Sequence, residues 1–319
     1  MFVCPICKIS LDCLNRDINE YKCVNPECSS SGAIFPVINE VPLFIPFGES
    51  ECIFNQVDLN GFFNLGSKNR DSNNKIRIFK SILRKIFIGE SKKTIQNFRY
   101  LSNLLNKDTN ILVIGGGTKG SGMEEFYSTC LRKSINIESI DVYYSCEITA
   151  IADAHYLPYA KNSFDIVLIQ AVLEHVLNPS KVVSEINRVL VDGGHIYAET
   201  PFMQSVHEGP YDFTRYSHSG HRWLFRCFDE ISSGFVNGAF SSSLFIFSYA
   251  IAGLLRDKRI GILIRILFTR FFKFLDSLTD NKFNIDVACG CYFLGKKPSK
   301  PIQSISPSWI SEYYSGAQE

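Results

Sequence analysis

Apolar residues recur at helical spacing early in the chain. Ile76, Phe79, Leu83 and Ile86 form one stripe, and Ile95, Phe98, Leu101 and Leu105 form a second. After Leu105 the period changes. Short apolar runs at 111–114, 137–142, 166–169 and 195–198 alternate with helix-like segments at 123–133, 171–176 and 180–190. Such alternation predicts a parallel sheet with helices on both faces. A last strand is predicted over 287–294. Residues 231–255 carry no charge but hold three glycines and six serines. The first half of this stretch reads as a polar loop. The dense apolar part, 244–255, suits a buried or interfacial helix better than a membrane span.

Composition adds two constraints. Of 319 residues, 45% are hydrophobic and 20% charged, which excludes a disordered chain. Lys plus Arg number 33 against 32 Asp plus Glu, a net charge of +1. That balance argues against nucleic acid as a partner, because phosphate binding needs clustered basic residues. The N-terminus has neither an apolar run nor a small-residue cleavage site. A cytoplasmic protein is therefore expected, with its cysteines as thiols or metal ligands.

Five of the eleven cysteines lie before residue 29. Cys4-Pro-Ile-Cys7 and Cys23-Val-Asn-Pro-Glu-Cys28 are close pairs separated by fifteen residues. Each pair presents two thiolates from one turn, and together they suit a tetrahedral, closed, structural Zn²⁺ site. The wider second pair leaves Cys13 as a lesser alternative ligand. The segment 35–44 is similar to the tail of small zinc-ribbon modules found in front of some methyltransferases. A module this short depends on its metal to hold together.

The run 111–114 is followed at once by Gly115-Gly116-Gly117-Thr118-Lys119-Gly120 and then by a helix. Glycines let the backbone turn sharply and approach a ligand, and the helix N-terminus offers free N–H groups. The pattern fits any adenosine-bearing cofactor, nicotinamide or S-adenosylmethionine (SAM) alike. Asp141 ends the next strand, where a carboxylate accepts from ribose hydroxyls.

The downstream segments separate the two cofactors. Asp153-Ala154-His155-Tyr156-Leu157-Pro158, Ser163-Phe164-Asp165-Ile166-Val167, Leu173-Glu174-His175-Val176 and Leu190-Val191-Asp192-Gly193-Gly194 follow in order. This series resembles the class I SAM-dependent methyltransferases, in particular the type 11 group, over about 110–228. The resemblance implies a Rossmann-like seven-stranded sheet with the last strand antiparallel, and SAM as cofactor. It implies that Gly115 and Gly117 pass under the methionine and ribose, that Asp141 binds the ribose and that Asp153 binds the adenine amino group. Ala154 then sits beside the ring, and Gln170 to Glu174 line the pocket floor. His175 matches a wall residue. Two positions depart from the pattern: Val113 stands where the family has an acid, and Lys119 where it has a third glycine.

After the fifth expected strand comes the densest polar-aromatic cluster, 200–217. His207-Glu208-Gly209-Pro210-Tyr211-Asp212-Phe213-Thr214-Arg215-Tyr216 resembles a stretch of methyltransferases found among sugar- and polysaccharide-modifying proteins. As a catalytic set, His207 or Glu208 would take the acceptor proton. Arg215 would fix an anionic substrate or pair with Asp212. Two basic amphipathic stretches, 75–93 and 256–273, are either solvated helix faces or membrane-surface contacts.

The expected organisation is a zinc-ribbon-like module at 1–46, a linker at 47–74 and a methyltransferase domain at 75–298. A helical insertion falls at about 240–280 and a tail at 299–319. The expected activity is SAM-dependent methyl transfer to a hydroxyl or amine of a small molecule or saccharide, such as a polysaccharide or lipid-linked intermediate. Peripheral membrane contact would run through 241–275. A ribosomal guanine methyltransferase and a non-catalytic binding module on a degenerate fold are the alternatives.

Overall fold

The structure, a computed structural model, describes residues 2–15, 20–49, 90–118, 120–300 and 307–318. Most of the expected linker, the helical stripe at 76–86, the basic positions 75–89, the Cys13 side chain and Lys119 lie outside the described residues.

Five short strands form the N-terminal module. β1 (Asp12–Asn15), β2 (Glu20–Lys22) and β3 (Ile34–Phe35) make one antiparallel sheet, and β4 (Val37–Ile38) pairs with β5 (Val41–Pro42). α1 (Lys92–Leu104) follows, capped by Ser91, whose hydroxyl accepts from the Thr94 N–H. The main sheet then begins with β6 (Ile111–Ile114), α2 (Glu124–Arg132), β7 (Ile137–Asp141) and β8 (Ala150–Ile151). It continues with β9 (Phe164–Gln170), α3 (Pro179–Val189), β10 (Leu190–Pro201), α4 (His218–Leu224) and β11 (Asp229–Asn237). The helices α5 (Ala239–Leu254), α6 (Lys258–Leu278) and α7 (Asn281–Asp286) precede β12 (Gly290–Lys296), and α8 (Pro307–Glu312) lies near the C-terminus.

The seven strands lie in the order β11-β12-β10-β9-β6-β7-β8. β12 runs antiparallel to β10 and β11, while β10, β9, β6, β7 and β8 pair in parallel. The expected seven-stranded Rossmann-like sheet with an antiparallel last strand is therefore present. Two readings of the pattern are corrected. Residues 229–237 are a strand, not a polar loop; its serine hydroxyls are bonded, Ser232 with Tyr292 and Ser233 with His218 and Glu230. The last strand starts at Gly290, because 281–286 close a short helix capped by Asp280.

Alternate residues of each central strand enter different cores. Leu112, Ile114, Val167 and Ile169 pack with Val182 and Ile186 of α3. Ile111, Val113, Ile166 and Leu168 pack with Phe98 and Leu101 of α1 and Phe126 of α2. Val113 is thus a core residue.

The N-terminal module shares the first of these cores. Cys4, Cys23, Phe35 and Phe44 belong to it. Leu43 makes a parallel bridge to Ile151, and the Phe44 N–H donates to the Ile151 carbonyl at 2.8 Å. The module therefore covers the edge that β8 would otherwise expose. Lys8 binds Glu185 of α3 at 2.7 Å from the module side.

α5 and α6 form an antiparallel hairpin beyond the sheet. At Gly261 an added Cβ would lie 2.8 Å from the Ser248 carbonyl, so the glycine lets the two helices meet closely. Only Gly261 and Asp276 of α6 are buried. Among the described residues, no helix is long and apolar enough to cross a membrane.

Candidate functional site

In an open parallel sheet, ligands bind at the carboxyl ends of the strands where the order reverses. Here that point lies between β6 and β9, since the chain builds β7 and β8 on one side and returns to place β9 on the other. A cleft of about 330 Å³ opens there. Gly115 lies at its base with φ +76°, a conformation that only glycine adopts freely. An added Cβ would also sit 2.2 Å from a Val172 methyl.

Asp141, Asp153 and Ala154 line the cleft. The Asp141 carboxylate accepts from the Gly117 N–H at 2.9 Å and the Tyr143 N–H at 3.0 Å. It therefore ties the glycine turn to the end of β7. Asp153 is buried and accepts from both the backbone N–H and Nδ1 of His155. His155 was not singled out from the sequence. The only signal for it was its place two residues after the acid. Ile140, Val142 and Ala152 supply apolar walls. Paired carboxylates over apolar walls fit the ribose and adenine of SAM, whose hydroxyls and amino group are donors.

Two of the expected cofactor residues are not part of the cleft lining. Gly117 does not line the cleft; its N–H is spent on Asp141. Gln170 lies behind the glycine turn, where its amide donates to Glu199 at 3.0 Å, and it is a wall of neither the cleft nor its mouth. An added Cβ at Gly120 would strike its side-chain oxygen at 2.0 Å.

The loop after β10 folds over the opposite side of the cleft. His207, Glu208 and Tyr211 line it together with His175. Asp212 and Arg215 lie beneath, joined to each other through both guanidinium nitrogens. Arg215 also donates to the Gln204 and Thr214 carbonyls, so its donors are spent on the loop itself. The hydrogen bond from Arg215 holds the Asp212 carboxyl down at about 2. Asp212 in turn accepts from the His207 N–H at 3.0 Å.

Glu174 lies behind the cleft lining, against a small second cavity that it shares with His207. It is fully buried, and neither carboxylate oxygen has a hydrogen-bond partner among the described residues. Burial pushes its carboxyl up to about 7. Its neighbour Ala171, at the end of β9, holds φ +52°, an unusual conformation for a residue with a Cβ. The strand thereby turns abruptly into the single 3-10 turn Leu173–His175 that aims Glu174 inward.

The second constellation is in the N-terminal module. The sulfurs of Cys4, Cys7, Cys23 and Cys28 all lie within 4.8 Å of one another. Cys4 and Cys28 are 3.9 Å apart, and Cys7 and Cys23 are 3.8 Å apart. Thiolates at about 2.3 Å from a tetrahedral zinc are separated by about 3.8 Å. The four expected ligands thus fit one zinc ion, with no open position.

Residues 126–198 match the family model described as a methyltransferase domain. No curated protein matches the chain. Solved structures do. One is phosphoethanolamine N-methyltransferase 2 of Haemonchus contortus in complex with S-adenosyl-L-methionine. It is 16% identical, with 75% of this chain and 60% of that chain covered and a TM-score of 0.44. A SAM-dependent methyltransferase from Archaeoglobus fulgidus is 16% identical over 69% of this chain and all of its own, with a TM-score of 0.41. The cyclase SpnF is 17% identical over 65% of this chain and 82% of its own, with a TM-score of 0.40.

Proposed function

We propose that the protein transfers the methyl group of SAM to a hydroxyl or amine of a saccharide, presented as a polysaccharide or lipid-linked intermediate. The observation that carries this reading is the shared cleft. Asp141, Asp153 and Ala154 suit the adenosine on one side, and His207, Glu208 and Tyr211 face the same space from the other. When bound, SAM supplies an electrophilic methyl on a good leaving group. The acceptor attacks that carbon in line; the new bond forms as the carbon–sulfur bond breaks. The acceptor proton passes to His207 or Glu208. Orientation does most of the work, and Tyr211 offers a ring face for a sugar.

The helical hairpin supports a lipid-borne acceptor. Ile246, Phe247, Leu254, Leu263, Leu267 and Phe271 are each about half exposed or more. Arg256, Lys258, Arg259, Arg265, Arg270 and Lys273 flank them. An apolar face rimmed by cations suits an anionic membrane surface. The hairpin springs from Val236 and Asn237, which line a small cavity with Glu174 and His207. A surface-bound hairpin would thus hold the cleft mouth near the lipid headgroups.

The test has two steps. Calorimetry with SAM separates an enzyme from a degenerate binding module. Transfer of labelled methyl from SAM is then compared on lipid-linked saccharide and on ribosomal RNA. Label in the saccharide fraction is expected, with retention on phosphatidylglycerol-containing vesicles. Label in RNA alone would favour the guanine methyltransferase reading.

A further inference from the structure

Three acceptor atoms meet at the cleft mouth with no proton assigned between them. His175 Nε2 and His207 Nε2 face each other at 3.2 Å. Glu174 Oε1 is 3.7 Å from the first and 3.6 Å from the second. The other nitrogen of each ring is already directed at an acceptor. His175 Nδ1 lies 2.6 Å from the Tyr211 carbonyl oxygen, which can only accept, so that nitrogen carries the hydrogen. His207 Nδ1 faces Asp212 Oδ2 at 3.4 Å. When each ring is neutral with its hydrogen on Nδ1, both Nε2 lone pairs turn toward the buried Glu174 oxygen.

We propose that Glu174, His175 and His207 bind a divalent transition-metal ion of the zinc class at the mouth of the cleft. Ligands at about 2.0–2.1 Å from a tetrahedral zinc are about 3.3–3.4 Å from one another, and the three separations here bracket that value. Two imidazoles and a carboxylate leave a fourth position open. Metal-bound histidines ordinarily donate their second ring N–H to a carboxylate or a backbone carbonyl. Asp212 and the Tyr211 carbonyl stand in those two positions. The buried, unbonded Glu174 carboxylate also acquires a partner in this way.

The inference rests on the methyl-transfer reading for its chemical consequence. An acceptor hydroxyl at the open position would become more acidic. Its proton would pass to the exposed Glu208 as the oxygen bonds to the methyl carbon and S-adenosylhomocysteine leaves. His207 would then act through the metal, not as a free base.

The metal content of the full chain tests the site without requiring turnover. Protein is loaded with zinc, freed of loosely held ion by gel filtration and analysed for zinc per chain. Two zinc ions are expected in the wild type: one on the four cysteines and one here. Glu174→Gln and His207→Ala should each retain one. A wild type holding one ion, or a second ion that persists in either variant, overturns the proposal. If Glu174→Gln does not fold, the exposed His207→Ala variant decides. SAM calorimetry on the same samples reports independently on the methyl-transfer reading.

Discussion

Asp153 Oδ1 accepts two hydrogen bonds from one residue, His155: from the backbone N–H at 2.9 Å and from Nδ1 at 2.6 Å. The Asn178 N–H donates to His155 Nε2 at 3.1 Å, which fixes the ring hydrogen on Nδ1. The imidazole thus holds the carboxylate by one oxygen and leaves Oδ2 for a ligand. Asp141 is held differently, through both oxygens: Oδ2 accepts from the Gly117 N–H and Oδ1 from the Tyr143 N–H. On the proposed placement of SAM, replacing either acid by alanine removes a charged hydrogen bond to the cofactor. Asp141→Ala and Asp153→Ala should each weaken SAM binding by about 1.5–3 kcal/mol. Calorimetric titration checks this, and unchanged affinity in Asp141→Ala would remove the ribose assignment.

The cysteine site is coupled to the main core through Phe35 and Phe44 and through the Leu43–Ile151 bridge. Cys4→Ser should release one zinc per chain. It should also lower the melting temperature of the whole protein, not merely of a detached module. Elemental analysis and scanning calorimetry report the two effects. Retained zinc content in Cys4→Ser would show that the thiolates do not hold it.

The loop after β10 should separate into residues of chemistry and residues of architecture. Compared without added zinc, His207→Ala should leave SAM affinity and melting temperature nearly unchanged while lowering turnover by about 100-fold or more. Arg215→Ala should instead destabilise the fold by about 1–3 kcal/mol, because it leaves the buried Asp212 carboxylate without its main donor. Denaturant midpoints and rates measured on both variants test the division. Equal loss of stability in His207→Ala would assign it to the architecture.

Two buried histidines should make stability fall in acid. Burial lowers His218 to about 4 and His221 to about 3, against about 6.5 in an unfolded chain. Below pH 6.5 the unfolded chain takes up protons that the folded one refuses. Each histidine therefore costs up to about 1.4 kcal/mol of stability per pH unit, from pH 6.5 down to its folded value. The full contribution is present above pH 6.5. Urea midpoints at pH 7 and pH 5 should fall further apart in the wild type than in His221→Gln. An equal drop in both proteins would exclude His221 as a cause.

Elements with a strong local signal were readable directly. The run at 111–114 lies in a fully buried strand, and its abrupt glycine turn needs φ > 0 at Gly115. The cysteine spacing places four sulfurs at one point because each pair spans a single turn. The strand at 229–237 was missed because Ser232, Ser233 and Gly234 break the apolar pattern; pairing with β12 along one edge supplies what the pattern lacks. Gln170 does not line the cleft, because sequence fixes its place at the end of β9 but not the side from which it approaches the glycine turn.

The sequence by itself determined the alternating β/α order, the pairing of cysteines into two close turns and the acids at the ends of β7 and before the turn at Ala154. These depend on contacts between near neighbours or on hydrophobic period. Tertiary structure alone decided that His175 and His207, thirty-two residues apart, share one space with Glu174. It alone docked the cysteine module on the β8 edge and left the face of α6 uncovered by the described residues. Those relationships arise from how the sheet turns its strands and closes its loops, and hydrophobic periodicity carries no record of which distant polar atoms then converge.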